Sequence, residues 1–348
     1  MKILLMGYYG QKNLGDDLFV KQLTNYFDQR SDVGQVDVIC KANYYPKTSE
    51  KINFWSSQQL SKLKRLGLIV KADKIFWGGG TLNIDSKPTN LLRMQSIAQL
   101  MGKQFGFLGI GLEGIKSEVQ DASYELFKKA NLLYCRDSSS YELAKKLNKD
   151  HENVGLGGDL AFLDLSIYHP FLSRFRNSEI KEISFSGMFW WGDGRAQFYG
   201  RQLMPLIEKY NTVIHLLPCH VGQENNDNRF HELLRKYIPE KNCLVHSWSK
   251  TEEVLEVLGK MDFHFGNRLH SIIMADILGI PNIGIGEKKS KIGNYIEKTG
   301  VLYEERRVAF MEEISLGRIE KIFREYKRPE DFINNESEQA QKCLEQIR

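Results

Sequence analysis

Read from its first residue, the chain alternates short apolar runs with amphipathic stretches, the pattern of a parallel sheet covered by helices on both faces. In the first half it predicts strands near 2–8, 35–41, 73–78, 104–110, 132–136 and 153–156. Helices are expected between them, near 16–29, 57–67, 89–102, 118–130 and 138–148. LDLSIYHPFLSRFRNSEIKE, residues 163–182, shows neither period and holds Pro170. The alternation then restarts, with strands near 182–189, 212–217, 243–247, 262–266 and 281–285. Its helices fall near 196–210, 225–237, 251–260, 269–278 and 290–299. The expected fold class is α/β, with two Rossmann-like domains facing a cleft. Residues 1–165 form the first domain, 166–182 a linker, 183–305 the second, and 306–348 a charged helical segment able to pack back on the first.

Composition narrows the function classes. With 348 residues, 42% of them hydrophobic and 26% charged, the chain can bury two ordinary cores. Five cysteines, widely spaced and without a CxxC pair, read as reduced thiols with no disulfide framework and no metal site. A net charge of +4 fits a small anionic substrate or a membrane surface, and nucleic acid is not indicated. The N-terminal apolar run is too short for a signal segment, and no stretch approaches the ~20 apolar residues of a membrane span. A cytoplasmic chain is the expectation, with contact at the inner face of the plasma membrane as an option.

Ligands of such sheets bind outside the carboxyl ends of the strands, so chemistry is sought where strands pass into helices. GYYGQKNLGDD, 7–17, is such a loop, but acidic residues at a helix start repel phosphate. Asp16 reads either as a helix N-cap or, with Asn13 and Asp17, as part of a hydroxyl-binding loop for a sugar. FWGGGTLN, 76–83, puts consecutive glycines, Gly79 and Gly80 among them, before Thr81 and Asn83. It is a ligand-lining loop or a close helix–strand crossing. In LYCRDSSSYELAKKL, 133–147, Arg136 either meets an anion or forms an ion pair with an aspartate. FWWGDG, 189–194, offers Trp190 or Trp191 to stack on a sugar face, and interdomain packing explains the pair equally well.

GNRLHSIIMADILG, 266–279, carries the most chemistry. Arg268, Leu269, His270 and Ser271 fall in the first turn of a helix, where free N–H groups and the positive dipole end favour anions. Arg268 adds a fixed charge there, and His270 is the neighbour that can hand over a proton. His264 reads as core. GEKKSKIG, 286–293, follows the next strand end and makes Lys291 a candidate phosphate or carboxylate contact. SQQLSKLKRLGLIVK, 57–71, sets Leu60, Leu63 and Ile69 against Lys62, Lys64, Arg65 and Lys71. Most such helices cover a sheet, but a basic amphipathic helix also suits an anionic membrane surface.

Together GYYGQKNLGDD, GGG, CRDSSSYELAKKL, GNRLHSIIMADILGIPNIGI and Lys291 in KSKIG resemble the polysaccharide pyruvyl transferase family, in its order, from residue 7 to about 300. The resemblance implies a GT-B-like fold and transfer of pyruvate from phosphoenolpyruvate to two hydroxyls of a sugar, giving a cyclic ketal. It implies that Arg268, Leu269 and His270 hold the donor, with His270 as acid. Lys291 and Arg136 suit the donor's phosphate and carboxylate. Asp16 or Asp17 is a candidate base, and Asn13, Asp17, Gly79, Gly80, Thr81 and Trp191 would line the acceptor side. The acceptor is a free, nucleotide-linked or lipid-linked sugar; no cofactor beyond phosphoenolpyruvate as co-substrate is called for, and no metal. Two alternatives stay open: a GT-B glycosyltransferase using a nucleotide sugar, and a catalytically silent glycan-binding homologue.

Overall fold

The computed structural model describes residues 1–82, 88–112, 119–147, 153–173 and 178–347. It divides into two compact units. The first comprises Met1–Gln11, Gly15–Asp164 and Asn334–Arg348, the second Lys12–Leu14 and Leu165–Ile333.

The first unit runs β1 (Lys2–Met6), α1 (Leu14–Gln29), β2 (Gln35–Cys40), β3 (Ile52–Ser56), α2 (Lys62–Lys71), β4 (Lys74–Gly78) and α3 (Thr89–Leu100). It continues with β5 (Gln104–Ile110), α4 (Gln120–Lys128), β6 (Leu132–Cys135), α5 (Ser138–Leu147) and β7 (Val154–Leu156). Its seven strands lie in the order β3-β2-β1-β4-β5-β6-β7 and pair in parallel. Near-continuous apolar strands such as KILLM bury both sheet faces, as a sheet covered on each side requires. The strand order reverses between β1 and β4, so the loops after these two strands, GYYG and GGG, flank the switch point.

The second unit runs β8 (Glu182–Ser186), α6 (Asp193–Tyr210), β9 (Val213–Leu216), α7 (Asn228–Leu234), β10 (Cys243–Val245), α8 (Thr251–Leu258), β11 (Phe263–Gly266) and α9 (Leu269–Leu278). It closes with β12 (Asn282–Ile285), α10 (Lys291–Thr299), α11 (Tyr303–Arg306), β13 (Arg307–Val308), α12 (Leu316–Glu325) and α13 (Glu330–Glu345), whose later part belongs to the first unit. The parallel order is β10-β9-β8-β11-β12-β13, with its switch point between β8 and β11. Ile183 and Phe185 of β8 enter an apolar core with Tyr199, Phe230, Phe263 and Phe265. Ser184 and Ser186 alternate onto the other face, where they meet His264 and Ser271.

Two strands lie outside the sequence reading. INFWS at β3 is an edge strand with only Ile52 fully buried, and its half-buried polar residues mask the period. β13 has only two residues. The stretch expected as a linker holds a 3-10 segment, Leu165–Phe171, and belongs to the second unit.

Helix α9 is fixed by a buried ion pair. Arg306 and Asp276 are both fully buried, with Arg306 Nη2 2.6 and 2.8 Å from the two carboxylate oxygens. Asp276 Oδ1 also accepts from Tyr326 Oη at 2.8 Å and Asn282 Nδ2 at 2.7 Å, while Arg306 reaches Asn282 Oδ1 at 2.8 Å. One pair thus ties α9, β12 and the segments around α11 and α12 together. Removing only the cation, by Arg306→Met, leaves a buried carboxylate without its counter-charge. The expected loss is about 3–5 kcal/mol, read in urea unfolding, and the double variant Asp276→Leu/Arg306→Met should lose less than the two single changes added.

Candidate functional site

At the second unit's switch point, β8 ends at Ser186 and β11 at Gly266, which pair with each other. Gly266 allows a close approach: a Cβ there would sit 2.6 Å from both His264 Nε2 and Ser271 Oγ. The polar face beneath is fully engaged. Ser184 Oγ lies 2.8 Å from His264 Nδ1, His264 Nε2 2.9 Å from Ser271 Oγ, and Ser271 Oγ donates at 2.8 Å to Arg268 O. A buried chain of hydrogen bonds therefore runs from the strand to the backbone that begins α9.

Arg268 is the residue just before α9, with an extended backbone. Its guanidinium meets three different groups. Nη2 donates to Asp227 Oδ1, and the Trp190 ring lies under the guanidinium carbon at 5.4 Å. Nε is buried and has no hydrogen-bond partner. Asn267 donates through Nδ2 to Ile285 O, tying the end of β11 to that of β12, while its buried Oδ1 also lacks a partner. Two uncommitted polar atoms beside a helix start are what a bound anion with a hydroxyl or water nearby would satisfy.

Asp227 holds the arrangement together and was not singled out in the sequence. It is fully buried, and besides Arg268 its carboxylate accepts the backbone N–H groups of Phe189 at 3.1 Å, Cys219 at 3.2 Å and His220 at 2.9 Å. Burial, with Asp227 close by, pushes the Cys219 thiol up to about 12, so it stays protonated. Next along α7, His231 Nε2 accepts from Gly187 N at 3.3 Å. A backbone N–H can only donate, so the ring proton sits on Nδ1, 3.0 Å from Asn228 Oδ1. Burial first, then the Arg268 charge, lowers the His231 pKa to about 3.

The other expected residues fall as follows. His270, half-buried, is the second residue of α9, and Leu269 the first. Lys291 opens α10 at the end of the neighbouring strand, behind a Ser290 cap. Trp191 is a correction: it is 2% exposed and stacks on Tyr199 at 5.4 Å in the core, so it offers no face to a ligand. Trp190, 57% exposed, is the solvent-facing ring of the pair. β8 ends three residues before Phe189 and the chain turns there, Trp191 N donating to Met188 O, which sends the Trp191 ring into the core.

Asn13 lies in the second unit, with Lys12 and Leu14. It forms a β-bridge with His220, flanked by Leu14 N to Cys219 O at 2.8 Å and Val221 N to Lys12 O at 3.0 Å. This places it beside the loop that Asp227 anchors. Helix α1 starts at Leu14, so Asp16 and Asp17, in the first unit, lie in its first turn and Asp16 is not the cap. Asp17 is 4% exposed and accepts the hydroxyls of Tyr44 and Tyr45, at 2.7 and 2.6 Å. Gly79 and Gly80 take φ +71° and +79° against α1, where a Cβ on Gly80 would come within 2.7 Å of Asp16 Oδ1. That is the close helix–strand crossing. Arg136, 7% exposed, donates to Thr81 Oγ1 at 3.1 Å and pairs with Asp159 Oδ2 at 3.2 Å, so two expected residues meet directly and the alternative of an ion pair with an aspartate is what the structure has. Asn83 lies outside the described residues. Among the described residues, no group of three or more His, Cys, Asp or Glu side chains could hold a metal ion.

Comparison with known proteins adds the following. The family model for polysaccharide pyruvyl transferase matches residues 13–289. Among solved structures, the Neisseria meningitidis UDP-GlcNAc 2-epimerase bound to UDP-GlcNAc aligns with a TM-score of 0.60 at 11% identity, covering 100% of this chain and 99% of that one. The Methanocaldococcus jannaschii UDP-GlcNAc 2-epimerase gives 0.59 at 10% identity, covering 100% and 99%. A lipopolysaccharide outer core galactosyltransferase, WaaB in its apo form, gives 0.52 at 11%, covering 99% and 98%. At such identities these likenesses establish the fold, two parallel-sheet Rossmann-like domains of the GT-B kind. No protein of curated function matches the chain.

His231 and a second fully buried histidine, His264, share one titration consequence. Burial lowers the His264 pKa to about 3 as well. Between pH 6.5, where an unfolded imidazole titrates, and about 3, the unfolded state binds protons that the folded state refuses. Their contribution is thus intact above pH 6.5 and shrinks as pH falls, by up to about 1.4 kcal/mol per pH unit for each. The His231→Gln/His264→Gln variant should show a shallower acid limb in denaturant unfolding measured across that range.

Proposed function

Because the chain belongs to the polysaccharide pyruvyl transferase family, we propose that it transfers pyruvate from phosphoenolpyruvate to two hydroxyls of a sugar and releases phosphate. The observation that supports this reading is the state of Arg268. One edge of its guanidinium is held by Asp227, one face is covered by Trp190, and Nε is left without a partner beside the first turn of α9. A carboxylate or phosphate completes that arrangement through charge-assisted hydrogen bonds. Lys291, opening the helix after the adjacent strand, supplies a second positive charge for the same substrate.

The residues then divide the work. Arg268 and the helix start bind the donor anion. His270 delivers a proton to the vinyl carbon, which becomes the methyl group, and positive charge develops at C2. One sugar hydroxyl bonds to C2, and its proton restores the one His270 gave up. The C2–O bond to phosphate then breaks and the second hydroxyl closes the ketal, its proton leaving with phosphate, so C2 exchanges the π bond to the methylene carbon and one bond to phosphate oxygen for two bonds to sugar oxygens. Trp190 is exposed enough to cover a sugar ring, and the ring of the preceding Phe189 meets His220, which is bridged to Asn13. A second reading uses the same anion site for the diphosphate of a nucleotide sugar, with transfer of the sugar itself and no acid role for His270.

Calorimetry separates the two. Phosphoenolpyruvate should bind wild type, and Arg268→Ala should bind it about 10- to 100-fold more weakly. His270→Ala should retain the donor and lose turnover by about 10²–10⁴, read as phosphate release with a glycan acceptor. Asp227→Asn should weaken the donor although Arg268 is still present. Equal donor affinity in wild type and Arg268→Ala removes the site assignment, and uridine-diphosphate sugar binding without phosphoenolpyruvate binding favours the second reading.

A further inference from the structure

The outer face of α2 carries a feature that sheet packing does not require. At about 100° per residue, Leu68 and Ile69 point inward, and they are 5% and 4% exposed. A helix that only covers a sheet turns polar residues to the opposite side. Here that side is Leu63, Leu66 and Val70, respectively 82%, 41% and 39% exposed. The sequence reading grouped Leu63 with Ile69, and the structure separates them onto opposite faces. Lys64 and Lys71 flank the outer stripe on one side and Lys62 on the other, and α2 has no acidic residue in its first turn. Ser61 caps the helix through Lys64 N, Lys64 Nζ lies 4.6 Å from the Trp55 ring centre, and Arg65 Nη2 reaches Ser57 O at 3.3 Å. Helix α3 packs beside α2 and ends in Leu100, 88% exposed, followed by Met101, 41% exposed.

We propose that this face is a docking surface for an anionic lipid bilayer, with Leu63, Leu66, Val70 and Leu100 entering the interface and Lys62, Lys64 and Lys71 contacting headgroup phosphates. The charge pattern selects this occupant. Apolar side chains on an outward stripe with lysines on both flanks match an interface that is apolar within and negative at its rim. A protein groove of mixed charge gives no reason for cations on both flanks. No described helix is long and apolar enough to cross a membrane, so the contact is with one leaflet. The inference stands on α2 and the end of α3 and is independent of the reaction assigned to the second unit.

The test is sedimentation of the full chain with vesicles of phosphatidylcholine, with and without phosphatidylglycerol. Binding only to the anionic vesicles, reversed by added salt, is the expected result. Leu63→Ser/Leu66→Ser/Val70→Ser, at exposed positions that leave the core untouched, should abolish it with the unfolding midpoint unchanged. Lys62→Glu/Lys71→Glu should weaken it by about 25-fold or more, at about five-fold per charge. Equal binding to neutral vesicles, no vesicle binding, or a triple-serine variant that binds like wild type would each overturn the proposal. So would a wild-type dimer that the triple-serine variant converts to monomer without any lipid contact.

Discussion

The Asp276–Arg306 pair sets the position of the helix on which the site is built. Helix α9 is apolar nearly all round, so apolar packing alone would tolerate small slides and rotations of it against the sheet. A buried carboxylate accepting four hydrogen bonds from three donors does not, because any shift leaves charge or hydrogen-bonding capacity unsatisfied in a low-dielectric interior. The pair sits in the last two turns of α9 and at the end of α11, and the opposite end of the same rigid rod presents Arg268 and His270. Such an interaction is worth more as a constraint on geometry than as a source of stability.

At the other end, Asp227 does the equivalent task for loops. The segments at Phe189, Cys219–His220 and Arg268 are far apart in the chain, and together they give four donors to the same carboxylate, two of them from Cys219–His220. That matters for recognition. A guanidinium fixed at one nitrogen keeps its remaining edge in a defined plane, and the Trp190 ring covers one face of it. An anion at the proposed site would therefore meet a charge that is already oriented, with little side-chain freedom to lose on binding.

How much of this was legible in the sequence follows from how local each signal is. The strand-helix-strand of β11, α9 and β12 is encoded by contiguous apolar residues and by Gly266 and Gly279, and its boundaries were read within a residue. Arg268 and His270 could be found because a strand end followed by a helix start is a local pattern. Asp227 was hidden in ENNDN, where an aspartate before a helix reads as a cap; its side chain makes no capping bond and holds the start of its own loop and the distant segments at Phe189 and Arg268 instead. The aromatic pair was read with the wrong ring outward because its orientation depends on where β8 stops, which is set by pairing with β9 and β11. The glycine run after β4 gave its conformation but not its purpose, because what it accommodates, Phe19 and Asp16, lies on another element.

The short segment Lys12–Leu14 changes what can be said about the chain as a covalent object. Lys12 takes a left-handed φ of +58°, and its neighbours add a bridge to the second unit before α1 returns to the first. With the exchanges near residues 164 and 333, the backbone passes from one unit to the other at four points instead of one. Neither half corresponds to a continuous piece of polypeptide. A cut at the stretch once read as a linker would strip the second unit of a bridging segment and the first of its C-terminal residues. Gene-level shuffling of the two halves is therefore restricted: a partner exchanged into one unit must bring a matching N-terminal loop and a matching C-terminal helix with it.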